Sequence, residues 1–234
     1  MSRPKCVVPL AGPDMMHPRF GLRALVAVEG EPLIRRALGT RAWREALAPE
    51  DYVFVLRDTE GADELRQFLG SAWPGCGVVL LPHLTAGALF SALAGVAVLP
   101  PDSGPVVVDL ADILFDGGPD AALLRDWPAE LGAVAPYFIA QDPKFSYLRI
   151  TGGRVEAAVE KQVISDAASA GVYVFKDVQT YLTAAAGSLA NAAARTFRDA
   201  FFVCPMFNDV VAAGGVVRPM AVTNVRPVSA LFAD

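Results

Sequence analysis

The sequence predicts an α/β fold: a Rossmann-like, mostly parallel sheet flanked by helices, with an antiparallel addition in the second half. Three observations carry this prediction. Short apolar runs alternate with amphipathic stretches as far as about Gly132, a rhythm typical of β-α-β units. Beyond that point, most apolar runs have the pattern of strands, and Gly152-Gly153 supplies a hairpin turn. A chain of 234 residues with 53% hydrophobic content can also bury a large core.

The first half contains four predicted strands separated by three predicted helices. The strands are KCVVPL, DYVFVL, CGVVLL and GPVVVDLADILF, at 5–10, 51–56, 76–81 and 104–115. The helices are EPLIRRALGTRAWREAL, GADELRQFLG and TAGALFSALAGVAV, at 31–47, 61–70 and 85–98. Pro32 suits the start of the first helix, and Thr85 is a residue type that caps a helix, here the third.

The second half is predicted to contain five strands and two helices. The strands are GAVAPYFIA, FSYLRI, RVEAAVE, AGVYVF and VVRPMAV, at 132–140, 145–150, 154–160, 170–175 and 216–222. The helices are VQTYLTAAAGSLANAAARTF at 178–197 and PMFNDVVAAGG at 205–215, the latter ended by glycines. No internal repeat or flexible linker interrupts the chain, so we expect one domain over residues 1–234.

Composition excludes several functional classes. The net charge of −5 and pI near 5.1 provide no electrostatic footprint for nucleic acid. No apolar stretch reaches the ~18–20 residues that span a bilayer, and the N-terminal segment lacks a signal-peptide pattern. Three widely spaced cysteines suggest neither a disulfide framework nor a thiolate metal site. We therefore expect a cytoplasmic protein without membrane insertion.

Ligands of open parallel sheets bind beyond the carboxyl ends of the strands. Three segments should lie there: the loop after Leu10, the turn at 85–87 and the acids after Val108. Backbone N–H groups of such turns suit phosphate or a base edge, and a carboxylate there can hold Mg²⁺. Spacing alone indicates a nucleotide–metal site only weakly, because many α/β proteins end strands in Gly or Asp.

Several motifs are distributed along nearly the whole chain, in the order PLAG, TAGALFSAL, VVVDLAD, EKQVIS followed by AGVYVF, and FFVCPMFNDVVAAGG. In this order they resemble the sugar-phosphate nucleotidyltransferases, which have a nucleotide-diphospho-sugar transferase (GT-A-like) fold. Among them, the chain looks most like the short bacterial members associated with capsule and surface-polysaccharide synthesis. The resemblance implies a nucleotide-binding half at 1–131 and an acceptor-binding half at 132–234.

The resemblance also implies an activity. Family members transfer a nucleoside monophosphate from an NTP to a sugar phosphate or similar phosphorylated acceptor, using Mg²⁺ and releasing pyrophosphate. Such a reaction depends mainly on positioning and on neutralising phosphate charge.

The matching positions carry implied roles. Ala11 and Gly12 match the turn that packs against the nucleotide, and Asp112 matches the metal-binding aspartate. Lys161 matches the lysine that reaches the acceptor phosphate. The remaining matches are Thr85, Gly87 and Ala88 for the base and Asn208 for a late asparagine motif.

The first loop departs from the family pattern A-G-x-G-x-R-F. Without gaps, Asp14 stands at the second glycine and Met16 at the arginine that binds the triphosphate. With a re-spaced loop, Arg19 supplies that arginine. Arg23 stands in place of a family lysine, which keeps the charge but changes its geometry. The family's closing motif is replaced by PVSALFAD, and no second metal carboxylate is evident.

Simpler roles remain open for these residues. Asp112 could cap a turn, Lys161 could be a solvated lysine paired with Glu160, and Arg19 and Arg23 could be surface charges. The altered loop also supports a second hypothesis, a non-catalytic relative that binds nucleotide or a partner protein. The oligomeric state is not determined by the sequence, and a homodimer is one possibility.

Overall fold

The computed structural model describes residues 3–228. Within them, eleven strands form one mixed sheet: β1 (Lys5–Pro9), β2 (Tyr52–Arg57), β3 (Gly77–Leu81), β4 (Val106–Asp109), β5 (Ile113–Gly117), β6 (Leu131–Ile139), β7 (Tyr147–Thr151), β8 (Arg154–Val159), β9 (Ala167–Ser169), β10 (Val172–Phe175) and β11 (Val216–Pro227). Three two-stranded hairpins, Met16–His17 with Gly21–Leu22, Ala27–Val28 with Glu31–Pro32, and Thr196–Phe197 with Ala200–Phe201, lie outside this sheet.

The sheet is parallel on one side and antiparallel on the other. Its order is β8-β7-β9-β6-β10-β4-β1-β2-β3, and β11 pairs with β6 and β5. Strands β3, β2, β1 and β4 pair parallel. The remaining strands along the path, from β10 to β8, pair antiparallel. The predicted fold class, including the antiparallel addition in the second half, is confirmed.

Seven α-helices accompany the sheet in residues 3–228: α1 (Leu33–Gly39), α2 (Ala62–Ala72), α3 (Ala88–Val96), α4 (Ala121–Arg125), α5 (Val178–Ala190), α6 (Ala192–Arg195) and α7 (Met206–Ala212). They cover both faces because strand side chains alternate. On β1, Cys6 and Val8 join the core under α1 and α2, whereas Val7 joins the core under α3, α5 and α7.

The first helix is shorter than predicted. Helix α1 ends at Gly39 and not at residue 47, and the chain then turns so that Arg41 and Trp43 are buried in the core. A glycine weakens a helix, and burial of these two large side chains favours the turn. The helix predicted at 178–197 is likewise divided into α5 and α6 and followed by the last hairpin.

The strand predicted at 104–115 is interrupted. Strand β4 ends at Asp109, and β5 begins at Ile113 and pairs with β11. Between them, Ala111 has a left-handed φ of +53°. The periodicity of the sequence misses this break because apolar residues continue on both sides of it.

The other predicted strands and helices are present with boundaries shifted by up to three residues, except that β11 runs on to Pro227; the sequence does not predict β9. Gly152 and Gly153 both have positive φ in the hairpin between β7 and β8. The three cysteines are free thiols. None of the helices in the described range is long and apolar enough to cross a membrane. Residues 229–234, and with them most of PVSALFAD, lie outside the described range.

Candidate functional site

A cavity of about 590 Å³ opens at the carboxyl ends of β1 and β4. This is the edge of the sheet where the sequence predicts a ligand. Eight of the predicted site residues line it: Ala11, Gly12, Arg23, Thr85, Gly87, Ala88, Asp112 and Lys161. Arg19 and Asn208 are not among the lining residues.

The loop after β1 brings Arg23 to the cavity. Met15 N–H donates to the carbonyl of Gly12 at 3.2 Å, and Arg23 N–H donates to the carbonyl of Met15 at 3.0 Å. The Met15 side chain is buried in the core beneath the loop. The Arg23 guanidinium forms an ion pair with the Asp14 carboxylate. Burial lowers the pKa of Arg23, and the nearby Asp112 charge opposes that change.

Arg19 lies at the exposed tip of the Met16–Leu22 hairpin. Its guanidinium carbon is 5.2 Å from the centre of the Phe20 ring. The backbone N–H groups of Arg19 and Phe20 donate to Nδ1 of His17 at 3.2 and 3.3 Å. Contact of Arg19 with a triphosphate stays a prediction.

The loop before α3 forms one wall of the cavity. Thr85 was predicted to cap α3, and this is wrong: Gly87 is the N-cap and no side chain caps it. The Thr85 hydroxyl instead donates to the carbonyl of Gly87 at 3.0 Å and lies 2.8 Å from the Ser91 hydroxyl. These hydrogen bonds hold the loop in one conformation, and Thr85, Gly87 and Ala88 still line the cavity.

Gly87 is required by a close backbone contact. Its φ is +118°, and an added Cβ would lie 2.1 Å from the carbonyl oxygen of Phe201. The Phe201 N–H donates to the carbonyl of Ala86 at 2.8 Å. The Thr196–Phe201 hairpin therefore packs directly on the loop that the resemblance assigns to the base.

Asp112 follows β4 and carries a buried oxygen, Oδ1, that has no hydrogen-bond partner among residues 3–228. A Cβ added to Gly171 would lie 2.6 Å from this oxygen. Burial raises the pKa of Asp112 to about 6, and the Asp109 charge adds to this, while Arg23 opposes it. A buried carboxylate oxygen without a proton donor is an incomplete site that a cation can satisfy.

Asp112 fits Mg²⁺ as a single protein ligand. Groups of three or more His, Cys, Asp or Glu side chains suited to a metal are absent from residues 3–228. Mg²⁺ is commonly held by one or two carboxylates together with substrate phosphates and water. The donor set is therefore compatible with a metal that arrives with a triphosphate.

A buried ion pair lies next to Asp112. Arg41 and Asp109 are 2% and 0% exposed, and they bind bidentately, Nε to Oδ2 at 2.7 Å and Nη2 to Oδ1 at 3.0 Å. The sequence gives no role to Arg41, because the helix predicted at 31–47 includes it. Its 68-residue separation from Asp109 leaves no local signal.

Lys161 also lines the cavity, and its φ is +50°. Its ammonium lies 5.2 Å from the centre of the Phe202 ring and 5.7 Å from that of Phe197. At these distances the two rings attract the ammonium through cation–π interactions, so a positive charge is kept beside an apolar surface. The neighbouring Glu160 is buried and accepts a hydrogen bond from the Ser146 hydroxyl; burial raises the pKa of Glu160.

Asn208 lies on α7 with its amide bonded to backbone. Its Oδ1 accepts from Ala158 N–H at 2.9 Å, and its Nδ2 donates to the carbonyls of Ala158 and Pro205 at 2.7 and 2.8 Å. These bonds fasten α7 to β8, the strand that precedes Lys161. A direct contact of Asn208 with ligand stays a prediction.

No family model and no curated protein sequence matches this chain. Solved structures do match it. A nucleoside-diphosphate-sugar pyrophosphorylase from Vibrio cholerae RC9 is 19% identical, with a TM-score of 0.79 and 95% of each chain covered. A putative glucose-1-phosphate thymidylyltransferase from Bacillus anthracis is 17% identical, with a TM-score of 0.71 over 96% of this chain and 89% of the other.

The inositol-1-phosphate CTP transferase from T. maritima is 14% identical, with a TM-score of 0.68 over 96% of this chain and 87% of the other. These proteins are named as nucleotidyl-transferring enzymes, and their identities to this chain are low. The likeness therefore establishes the fold, and this chain has the fold that these nucleotidyltransferases share.

Proposed function

We propose that the protein is a Mg²⁺-dependent nucleotidyltransferase. The observation that carries this proposal is that Arg23, the 85–88 loop, Asp112 and Lys161 line one cavity, although they are far apart in the sequence. They supply the parts that the reaction needs: cations for phosphates, a backbone turn for a base and a carboxylate for a metal.

The reaction is a direct displacement at the α-phosphorus of an NTP. An oxygen of the acceptor phosphate forms the new P–O bond, the bond between the α-phosphorus and its bridging oxygen breaks, and pyrophosphate leaves. No covalent enzyme intermediate is required. Arg19 and Arg23 would neutralise the triphosphate, and Lys161 would hold the acceptor phosphate near the attacked atom.

Asp112 would hold Mg²⁺, and the metal when bound would neutralise charge on the phosphate oxygens and help to orient them. Ala11, Gly12, Thr85, Gly87 and Ala88 form the cavity wall that would face the nucleoside. The acceptor would be a sugar phosphate or a similar phosphorylated compound. Its product would serve nucleotide-sugar or surface-polysaccharide synthesis in the cytoplasm, as the resemblance implies.

A pyrophosphate-release assay tests this function directly. The purified protein is supplied with each of the common NTPs, a panel of sugar phosphates and Mg²⁺. We expect release that needs both substrates and the metal, and that Asp112→Asn reduces at least about 100-fold, since loss of metal-based charge stabilisation costs several kcal/mol. Asp102→Asn, at an exposed position outside the cavity, is the matched control. Absence of turnover by the folded protein across the whole panel would contradict the proposal.

A second candidate function is a nucleotide- or partner-binding module without catalysis. The altered first loop favours it: Asp14 stands where the family that the chain resembles has a glycine, and its carboxylate pairs with Arg23, which stands in place of a family lysine. Thermal unfolding with NTP distinguishes the two: a ligand at ~100 times its Kd stabilises by about 2.7 kcal/mol. Stabilisation that requires Mg²⁺ supports the enzyme, whereas stabilisation indifferent to Mg²⁺ supports the binding module.

A further inference from the structure

The Arg41–Asp109 ion pair contacts the backbone on both sides of Asp112. Asp109 Oδ1 accepts from the Ala111 N–H at 2.8 Å, and Arg41 Nη2 donates to the carbonyl of Ile113 at 3.0 Å. The residue before Asp112 and the residue after it are therefore tied to the same pair of buried charges.

The backbone at this point adopts a costly conformation. Ala111 has a φ of +53°, in the left-handed region that non-glycine residues seldom occupy. Such a conformation persists where neighbouring contacts determine it, and the Asp109 carboxylate provides that contact through the Ala111 N–H. Asp112 Oδ1 lies next to Gly171 and has no hydrogen-bond partner in the described part of the chain.

The pair is also costly in itself, which points away from a role in stability alone. Two charges that are removed from water lose hydration free energy, and their mutual attraction offsets only part of that loss. An apolar pair of similar volume is often as stable. Arg41 is enclosed further by the Phe115 ring, whose centre is 4.0 Å from the guanidinium carbon. Arg41 has a second, electrostatic effect. It neutralises the charge of Asp109, which is three residues from Asp112 in the sequence.

We propose that Arg41 and Asp109 are positioning residues, which hold the Asp112 carboxylate in the orientation that binds a divalent cation. This proposal rests on the proposed function, in which Asp112 is the metal ligand. Groups that orient a metal ligand in this way commonly change metal affinity 10- to 100-fold when they are removed.

The test measures how much a divalent cation strengthens the binding of a nucleotide analogue, and it does not depend on turnover. The Kd of an α,β-methylene NTP is determined by calorimetry with and without Mn²⁺, for each of the four common bases, and the ratio of the two values is the coupling. The main variant is the double substitution Arg41→Met with Asp109→Leu, which removes both charges together and leaves none unpaired in the core. Arg41→Lys is a second variant, which keeps the charge but loses the bidentate geometry.

The chain offers a matched control. Arg195 and Asp209 form another bidentate pair, at 3.0 and 3.1 Å, and neither lines the cavity. Arg195→Met with Asp209→Leu removes it in the same way. We expect both double variants to change the melting temperature, but only the Arg41–Asp109 variant to reduce the Mn²⁺ coupling, by about 10-fold or more. Arg41→Lys should reduce it less.

The outcomes separate this proposal from the proposed function. Coupling that is lost in Asp112→Asn but retained in the Arg41–Asp109 variant overturns the positioning role alone. Equal loss of coupling in the Arg195–Asp209 control also overturns it, because the effect would then follow from reduced stability. A wild-type protein without Mn²⁺ coupling, or one whose coupling survives Asp112→Asn, overturns the metal role and the positioning role together.

Discussion

The Asp14 carboxylate forms an ion pair with the Arg23 guanidinium at the edge of the cavity. In the family that this chain resembles, a glycine stands at the position of Asp14 and a lysine at the position of Arg23. The Asp14 side chain is 60% exposed and that of Arg23 is 22% exposed, so water screens the pair from one side. An exposed pair of this kind contributes at most about 1 kcal/mol, which a triphosphate can overcome.

Replacement of Asp14 should therefore strengthen triphosphate binding. In Asp14→Asn the local shape is kept and the competing negative charge is removed, so we expect the Kd for Mg²⁺-NTP to fall about 2- to 5-fold. Titration calorimetry at low salt measures it. Asp102→Asn provides the control for net charge. A weaker Kd in Asp14→Asn would show instead that Asp14 takes part in binding, for example through the metal.

Gly87→Ala should destabilise the protein and disturb the cavity together. The new Cβ would meet the Phe201 carbonyl at 2.1 Å, and alanine disfavours a φ of +118°. We expect the free energy of unfolding to fall by at least about 2 kcal/mol. Gly70→Ala is the control, because Gly70 lies within α2 with nothing near its added Cβ. There a gain of about 0.5–1 kcal/mol is expected. Urea unfolding of both variants decides the prediction, and equal stabilities would contradict it.

Lys161→Met should affect the acceptor more than the nucleotide. The substitution keeps an apolar stem against Phe197 and Phe202 and removes the ammonium. A hydrogen bond to a charged group contributes about 1.5–3 kcal/mol, so the KM for the acceptor should rise roughly 10- to 100-fold. The KM for NTP should change little. Lys176→Met, outside the cavity, should change neither value. Equal increases in both KM values would place Lys161 near the nucleotide instead.

The fold could be predicted from the sequence because its main strands and helices are encoded locally. The alternation of apolar runs locates β1 to β4, and the glycine pair locates the β7–β8 hairpin. The edge of the sheet that carries the cavity follows from the rule for parallel sheets, and the family resemblance selected Arg23 and Asp112, which line that cavity. The details that shape the site depend on partners distant in the sequence. Arg41 meets Asp109 across 68 residues, and the same Asp109 carboxylate accepts from the Ala111 N–H in the turn that interrupts the apolar run.

The ionisation of Asp112 should make stability depend on pH. Its pKa is raised to about 6 in the folded protein, chiefly by burial, from an ordinary value of 3.8. Between these two values the folded state binds more protons than the unfolded state, so stability falls as the pH rises through this window. At pH 8 the ionised carboxylate is therefore a cost, which we expect to reach roughly 2–3 kcal/mol when no metal is present.

Asp112→Asn removes this cost, because its amide stays neutral at every pH. With EDTA present, the variant should be more stable than wild type at pH 8, and its advantage should shrink toward pH 4.5. Urea unfolding at four pH values across this range measures the difference, with Asp102→Asn as the control. An advantage that stays constant with pH would show that Asp112 does not titrate in this window. Stabilisation together with loss of pyrophosphate release would mark Asp112 as a residue whose charge is kept for function at the expense of stability.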